Sequence, residues 1–184
     1  MTLQVARIAA SRLQKHPRPL RLSYAGQVLR VKGTQLRPER QFGQVGAELI
    51  GDNSVTADAE VILMAVESLY AVGVSDLSVD LCLPTLVPAV CRGKKHSEQT
   101  SQRLRLALDR KDVAGVKALE SELGKPTANI LTHLLTAVGT ADETLGALKK
   151  LRLPKPAATE LSRLAATVKA IRNVAADIVL TIDP

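Results

Sequence analysis

The run Arg21–Gly51, RLSYAGQVLRVKGTQLRPERQFGQVGAELIG, constrains the fold of this 184-residue chain more than any other segment. It reads as two strands joined by a basic loop, the first from Arg21 to Val31 and the second from about Arg40 to Ile50. Strand side chains alternate between faces, so Arg40, Phe42, Gln44 and Glu48 fall on one face, with Gly46 leaving a gap among them. Val45, Ala47 and Leu49 take the other face. Gln44 and Glu48 are spaced to line a site rather than a core, and Gly43 and Gly46 leave room for something to lie against the backbone. Arg30 closes the partner strand on the same surface. A carboxylate, an amide and a guanidinium together suit a zwitterion.

The order of residues resembles motif 2 of the class II aminoacyl-tRNA synthetases, and among them the histidyl-tRNA synthetase family. The matching run is Tyr24-Ala25-Gly26, then Arg30, then Arg40-Gln41-Phe42-Gly43-Gln44-Val45-Gly46-Ala47-Glu48-Leu49-Ile50-Gly51. It departs at the loop, where the family has Phe-Arg-x-Glu and this chain has Leu29-Arg30-Val31-Lys32. The glutamate that helps hold ATP is thus replaced by a base, which makes the wrong hydrogen bonds for adenylation. The Gly46–Gly51 ending and Ala57-Asp58-Ala59-Glu60-Val61 look like the paralogue without aminoacylation, the regulatory subunits of ATP phosphoribosyltransferase. The resemblance implies histidine biosynthesis, L-histidine as effector with no cofactor, and no catalytic residue. It implies histidine-binding roles for Thr2, Arg30, Gln44 and Glu48. It also implies a catalytic short-form phosphoribosyltransferase subunit as partner, in a hetero-oligomer built on homodimers. The alternative is a piece of an active histidyl-tRNA synthetase using ATP, histidine and tRNA.

Charge and composition narrow the remaining classes. Residues 1–53 hold nine Lys/Arg against three Asp/Glu, whereas residues 54–184 hold sixteen against fifteen, so the basic excess surrounds the two strands. An anionic partner or a solvated basic face both fit that asymmetry. Aromatic residues are 2% of the chain, too few for base-stacking platforms, and no nucleic-acid partner is expected. Cys82 and Cys91 make no disulfide framework, and His16, His96 and His133 have no metal-ligand spacing, so no metal site is expected. The start of the chain has basic residues and no continuous apolar core of a signal peptide, and no apolar run approaches about 20 residues. The expected setting is the cytoplasm, without membrane contact.

Helical spacing predicts helices over 2–15, stopped by Pro17 and Pro19, and over 56–72. Strand character returns at 76–83 and 177–183. Between them, helices are predicted near 85–92, 97–110, 112–123, 127–138, 141–150 and 157–173, with Gly124, Pro126, Gly139, Pro154 and Pro156 as separators. The expected fold class is α+β: a class II synthetase-like, mostly antiparallel sheet from 20–31, 40–51, 76–83 and 177–183, with flanking helices and a helical insertion. The expected division is a synthetase-like core of 1–83 plus 177–184, with 84–176 as insertion. Segments that the family carries before Thr2 and after the last strand are not in the sequence, so a piece of a longer protein is expected.

Overall fold

Two ten-residue strands, β1 (Leu20–Leu29) and β2 (Gln41–Ile50), form an antiparallel hairpin in the computed structural model of the chain. The structure describes residues 1–94 and 96–184. The register pairs Leu22 with Glu48, Tyr24 with Gly46, Gly26 with Gln44 and Val28 with Phe42. These four pairs therefore share one face, as alternation requires. The connecting loop is tightened by reciprocal backbone bonds between Thr34 and Arg37, with Thr34 Oγ1 also accepting from the Arg37 N–H at 3.1 Å. Lys32 lies exposed in this loop.

Helix α1 (Thr2–Ala10) lies against the Glu48–Ile50 end of that face, and α2 (Val55–Ala71) serves the opposite face. Predicted to reach residue 15, α1 stops at Ala10. The reason is local: Ser11 Oγ donates to the Arg7 carbonyl at 2.6 Å, and the Arg18 guanidinium donates to the Ala9 carbonyl at 3.1 Å. The last carbonyls of the helix thus find side-chain partners before the prolines are reached. Arg21 makes a two-pronged bond with Glu60, at 2.5 and 2.8 Å, joining β1 to α2. The hydrogen bond from Arg21 is the main cause that holds the Glu60 carboxyl below its ordinary range.

The chain divides into two compact units, Met1–Glu67 and Ser68–Pro184. In the second, β3 (Ser78–Cys82) and β4 (Gly139–Thr140) flank β5 (Val179–Asp183), with β3 parallel and β4 antiparallel to it. The four predicted strands thus form two hydrogen-bonded ladders among the described residues, not one. The parallel pairing follows from connectivity, because the helices between β3 and β5 return the chain to the end from which it left. The compact units also fall at a different boundary from the expected division, since β3 and β5 belong with the helices.

Those helices are α3 (Leu86–Cys91), α4 (Glu98–Asp109), α5 (Val113–Ala118), α6 (Glu120–Leu123), α7 (Lys125–Thr136), α8 (Ala141–Leu148) and α9 (Lys155–Val174). Ser97, Asp112 and Thr140 cap α4, α5 and α8 by accepting from the N–H of the residue three further on. Pro126 and Pro156, expected to separate helices, instead sit in the first turns of α7 and α9. A first-turn proline loses no intrahelical bond, because that N–H has no partner in any case. Leu86, Leu119, Leu123, Leu131, Leu134, Leu148, Ile171 and Ile182 are buried and form the core of this unit, with no aromatic residue among them.

Candidate ligand site on the hairpin

Along its Glu48-bearing face, β2 presents Ile50, Glu48, Gly46, Gln44 and Phe42 in turn, each about 6.8 Å from the next. A cavity of about 330 Å³ opens where α1 crosses this face, lined by Thr2, Ala6, Ala9, Ala10, Arg18, Glu48 and Ile50. Glu48 is half-buried there, and its carboxylate has no hydrogen-bond or ion-pair partner among the described residues. Facing the cavity without a protein donor, this carboxylate is free to accept a hydrogen bond from a ligand. The alanines of α1 keep the opposite wall short, which is what leaves the space.

Tyr24 stands at the centre of the arrangement. A Cβ placed on Gly46 would lie 2.4 Å from Tyr24 Cζ and from its hydroxyl oxygen, so the ring lies across the bare backbone of residue 46. The gap left by this glycine is therefore filled by the cross-strand tyrosine, not left open as the sequence suggested. The Tyr24 hydroxyl is 3.4 Å from Thr2 Oγ1. Gln44, one position further along, accepts a hydrogen bond from the α-ammonium of Met1 through Oε1 at 3.1 Å.

Two of the four expected binding residues, Thr2 and Glu48, line one cavity. Gln44 lies on the same face of β2, about 13 Å along the strand from Glu48 and outside the lining of that cavity. Arg30 does not join them. Its N–H donates to the Arg40 carbonyl at 2.7 Å, which places it opposite Arg40. Eight residues of strand separate Arg40 from Glu48, or roughly 27 Å. The Arg30 guanidinium instead lies over the Phe42 ring, 4.7 Å from its centroid, a cation–π contact at the far end of the same face. Arg18 and Tyr24 were missed as site residues. Arg18 has no signal in the sequence, whereas the Tyr24–Gly46 pairing follows once the hairpin register is known.

Replacing Gly46 with alanine tests this packing. The obstructing atoms are the outer end of one side chain, so the ring can swing aside, and the expected loss is about 1 kcal/mol, at the low end of overpacking. Urea denaturation reads it; a variant more stable than the parent, by the roughly 0.5–1 kcal/mol that glycine costs in an open strand, would show that the ring does not lie on residue 46.

Hairpin, flanking helices and the polar row of β2 together define the class: this is a class II aminoacyl-tRNA synthetase-like fold. The histidyl-tRNA synthetase family model matches residues 1–184, and the chain belongs to that family. It is 54% identical over its whole length to the ATP phosphoribosyltransferase regulatory subunits of Rhodospirillum centenum and Paramagnetospirillum magneticum, covering 47% and 48% of them. The chain thus spans about half the length of these relatives. A crystal structure from Bacillus halodurans, described as an ATP phosphoribosyltransferase regulatory subunit/histidyl-tRNA synthetase, superposes with a TM-score of 0.83 at 29% identity, over all of this chain and 48% of that one. An ATP phosphoribosyl transferase (HisG:HisZ) complex from Thermotoga maritima shares the fold, with a TM-score of 0.68 at 14% identity, over 98% of this chain and 62% of that one. Among the described residues, no helix is long and apolar enough to cross a membrane, and no cluster of His, Cys, Asp and Glu is arranged for a metal ion.

Proposed function

We propose that this chain is the ligand-binding part of a non-catalytic regulatory subunit of ATP phosphoribosyltransferase, which binds L-histidine on the β1–β2 face and acts on a catalytic short-form partner subunit. The observation that carries the reading is the partnerless Glu48 carboxylate, in one cavity with Thr2 and on the same strand face as Gln44. A histidine there has a donor for each acceptor: an imidazole N–H for Glu48 and the α-ammonium for Gln44 Oε1. Thr2 adds a hydroxyl near the ammonium. Arg30 has the role implied by the family, a contact to a carboxylate or phosphate, at the far end of the face. The names of the full-length relatives support the regulatory role. The soluble assembly is a hetero-oligomer built on homodimers, and its setting is the cytoplasm.

The runner-up reading is an active histidyl-tRNA synthetase. Lys32, exposed in the loop where that activity needs an acid, argues against it. One experiment separates the two. The full-length protein is mixed with a short-form phosphoribosyltransferase, and both the transferase rate and histidine-dependent ATP–pyrophosphate exchange are followed. The regulatory reading expects a raised, histidine-sensitive transferase rate and exchange at background. Exchange above background, or no complex on size exclusion at micromolar concentration, overturns it.

A further inference from the structure

The Tyr24 ring occupies the one position on β2's polar face that lies between the two groups expected to hold the ligand. Tyr24 pairs directly with Gly46, and Gly46 stands midway between Gln44 and Glu48. The ring lies so close over residue 46 that even a methyl group there would meet its Cζ, Cε2 and hydroxyl oxygen within 2.9 Å. Its hydroxyl reaches Thr2 Oγ1 at 3.4 Å, a long separation for two hydroxyls, so neither is tightly committed to the other. Thr2 thus lies at the phenol oxygen, and by register Gln44 and Glu48 stand on the same face two residues to either side of the Gly46 that the ring covers.

Gln44 and Glu48 are four strand residues apart, about 13 Å between their backbones. Their side chains must lean toward each other to hold one small molecule, and that molecule then lies over the position that Tyr24 fills. From this geometry we infer that Tyr24 is a specificity-determining residue of the site: its ring is the floor on which the planar, nitrogen-bearing ring of the bound amino acid lies. The inference rests on the histidine reading above and adds a cause for side-chain selection to it. Glu48 alone accepts a hydrogen bond from any donor of suitable reach. A flat aromatic floor favours a flat, electron-poor or cationic ring over a branched or flexible side chain of the same length, because the quadrupole of the phenol face attracts such a ring. Gly46 belongs to the same device. With any side chain at position 46 the floor tilts away from the strand, which is a use for this glycine that needs no unusual backbone angle.

Two variants titrated calorimetrically with L-histidine and one optical readout test the inference in the full-length protein. Tyr24→Leu removes the aromatic face and is expected to weaken histidine binding roughly 10-fold. Tyr24→Phe keeps the face without the hydroxyl and should remain within about 3-fold of the parent, because only a loosely held hydroxyl contact is lost. A merely structural role would not rank the two in this order once circular dichroism shows both folded. The optical readout covers the case in which Tyr24→Leu fails to fold. Within residues 1–184 the tyrosines are Tyr24 and Tyr70 and there is no tryptophan, so the Tyr24 signal is read as a difference between parent and Tyr24→Phe. Histidine should change the tyrosine absorbance and emission of the parent. The Tyr24→Phe variant should show a smaller change, the difference being the Tyr24 signal. If the parent binds histidine and Tyr24→Leu binds it equally well, or if the Tyr24 signal ignores saturating histidine, the floor is elsewhere and this inference alone falls. If the parent binds no histidine, the histidine reading falls and takes the inference with it.

Discussion

Leu131→Ala is expected to destabilise the protein by about 2–5 kcal/mol, the usual range for emptying a closed leucine site. Leu131 is fully enclosed on α7. Helices α3, α5 and α6 pack against α7 and carry the buried Leu86, Val90, Val116 and Leu123, so no single neighbour can collapse into the hole. The two-ladder fold makes the prediction specific. Leu131 lies in the unit Ser68–Pro184, whereas Thr2, Tyr24, Gln44 and Glu48 lie in Met1–Glu67. The melting temperature should therefore drop while histidine affinity measured well below it stays close to the parent value. A loss of less than about 1 kcal/mol would mean that the site is not a rigid core position.

Glu48→Gln has the next largest expected effect, and it falls on the ligand instead of the fold. Glutamine keeps the length and shape of the side chain, and the carboxylate has no hydrogen-bond or ion-pair partner to lose among the described residues. Stability should stay within about 0.5 kcal/mol of the parent, as for a surface change without partners. Histidine binding should weaken by roughly 10-fold or more, since a hydrogen bond to a charged acceptor contributes about 1.5–3 kcal/mol and 1.4 kcal/mol is a decade. Titration calorimetry on the folded variant decides the matter. Unchanged affinity would remove Glu48 from the site, whatever the behaviour of Tyr24.

Both effects turn on positions that differ in how readable they are. Helix positions in the second unit follow from helical spacing, and most boundaries lie within about two residues of expectation. The exceptions have local causes. Ser11 and Arg18 end α1 early by satisfying its carbonyls, and Leu119 divides the helix expected over 112–123 into α5 and α6. The polar row of Gln44 and Glu48 was legible because a strand has a period of two, which no tertiary contact can alter. The Arg-Gln-Phe-x-Gln-x-Gly-x-Glu order in the same strand was enough to point to the family.

Sequence by itself determined the hairpin, the face that Gln44 and Glu48 share, the helices that follow, and the family resemblance. All of these depend on order and period within one segment. Tertiary structure alone decided the rest. Pairing register put Tyr24 on Gly46 and moved Arg30 to the far end of the face, opposite Arg40. Packing of α1 across the hairpin brought Thr2 and Arg18 into the cavity with Glu48. Connectivity through seven helices made β3 and β5 parallel partners about a hundred residues apart. Register, packing and crossover are relations between segments distant in the chain, and a one-dimensional pattern has no period that records them.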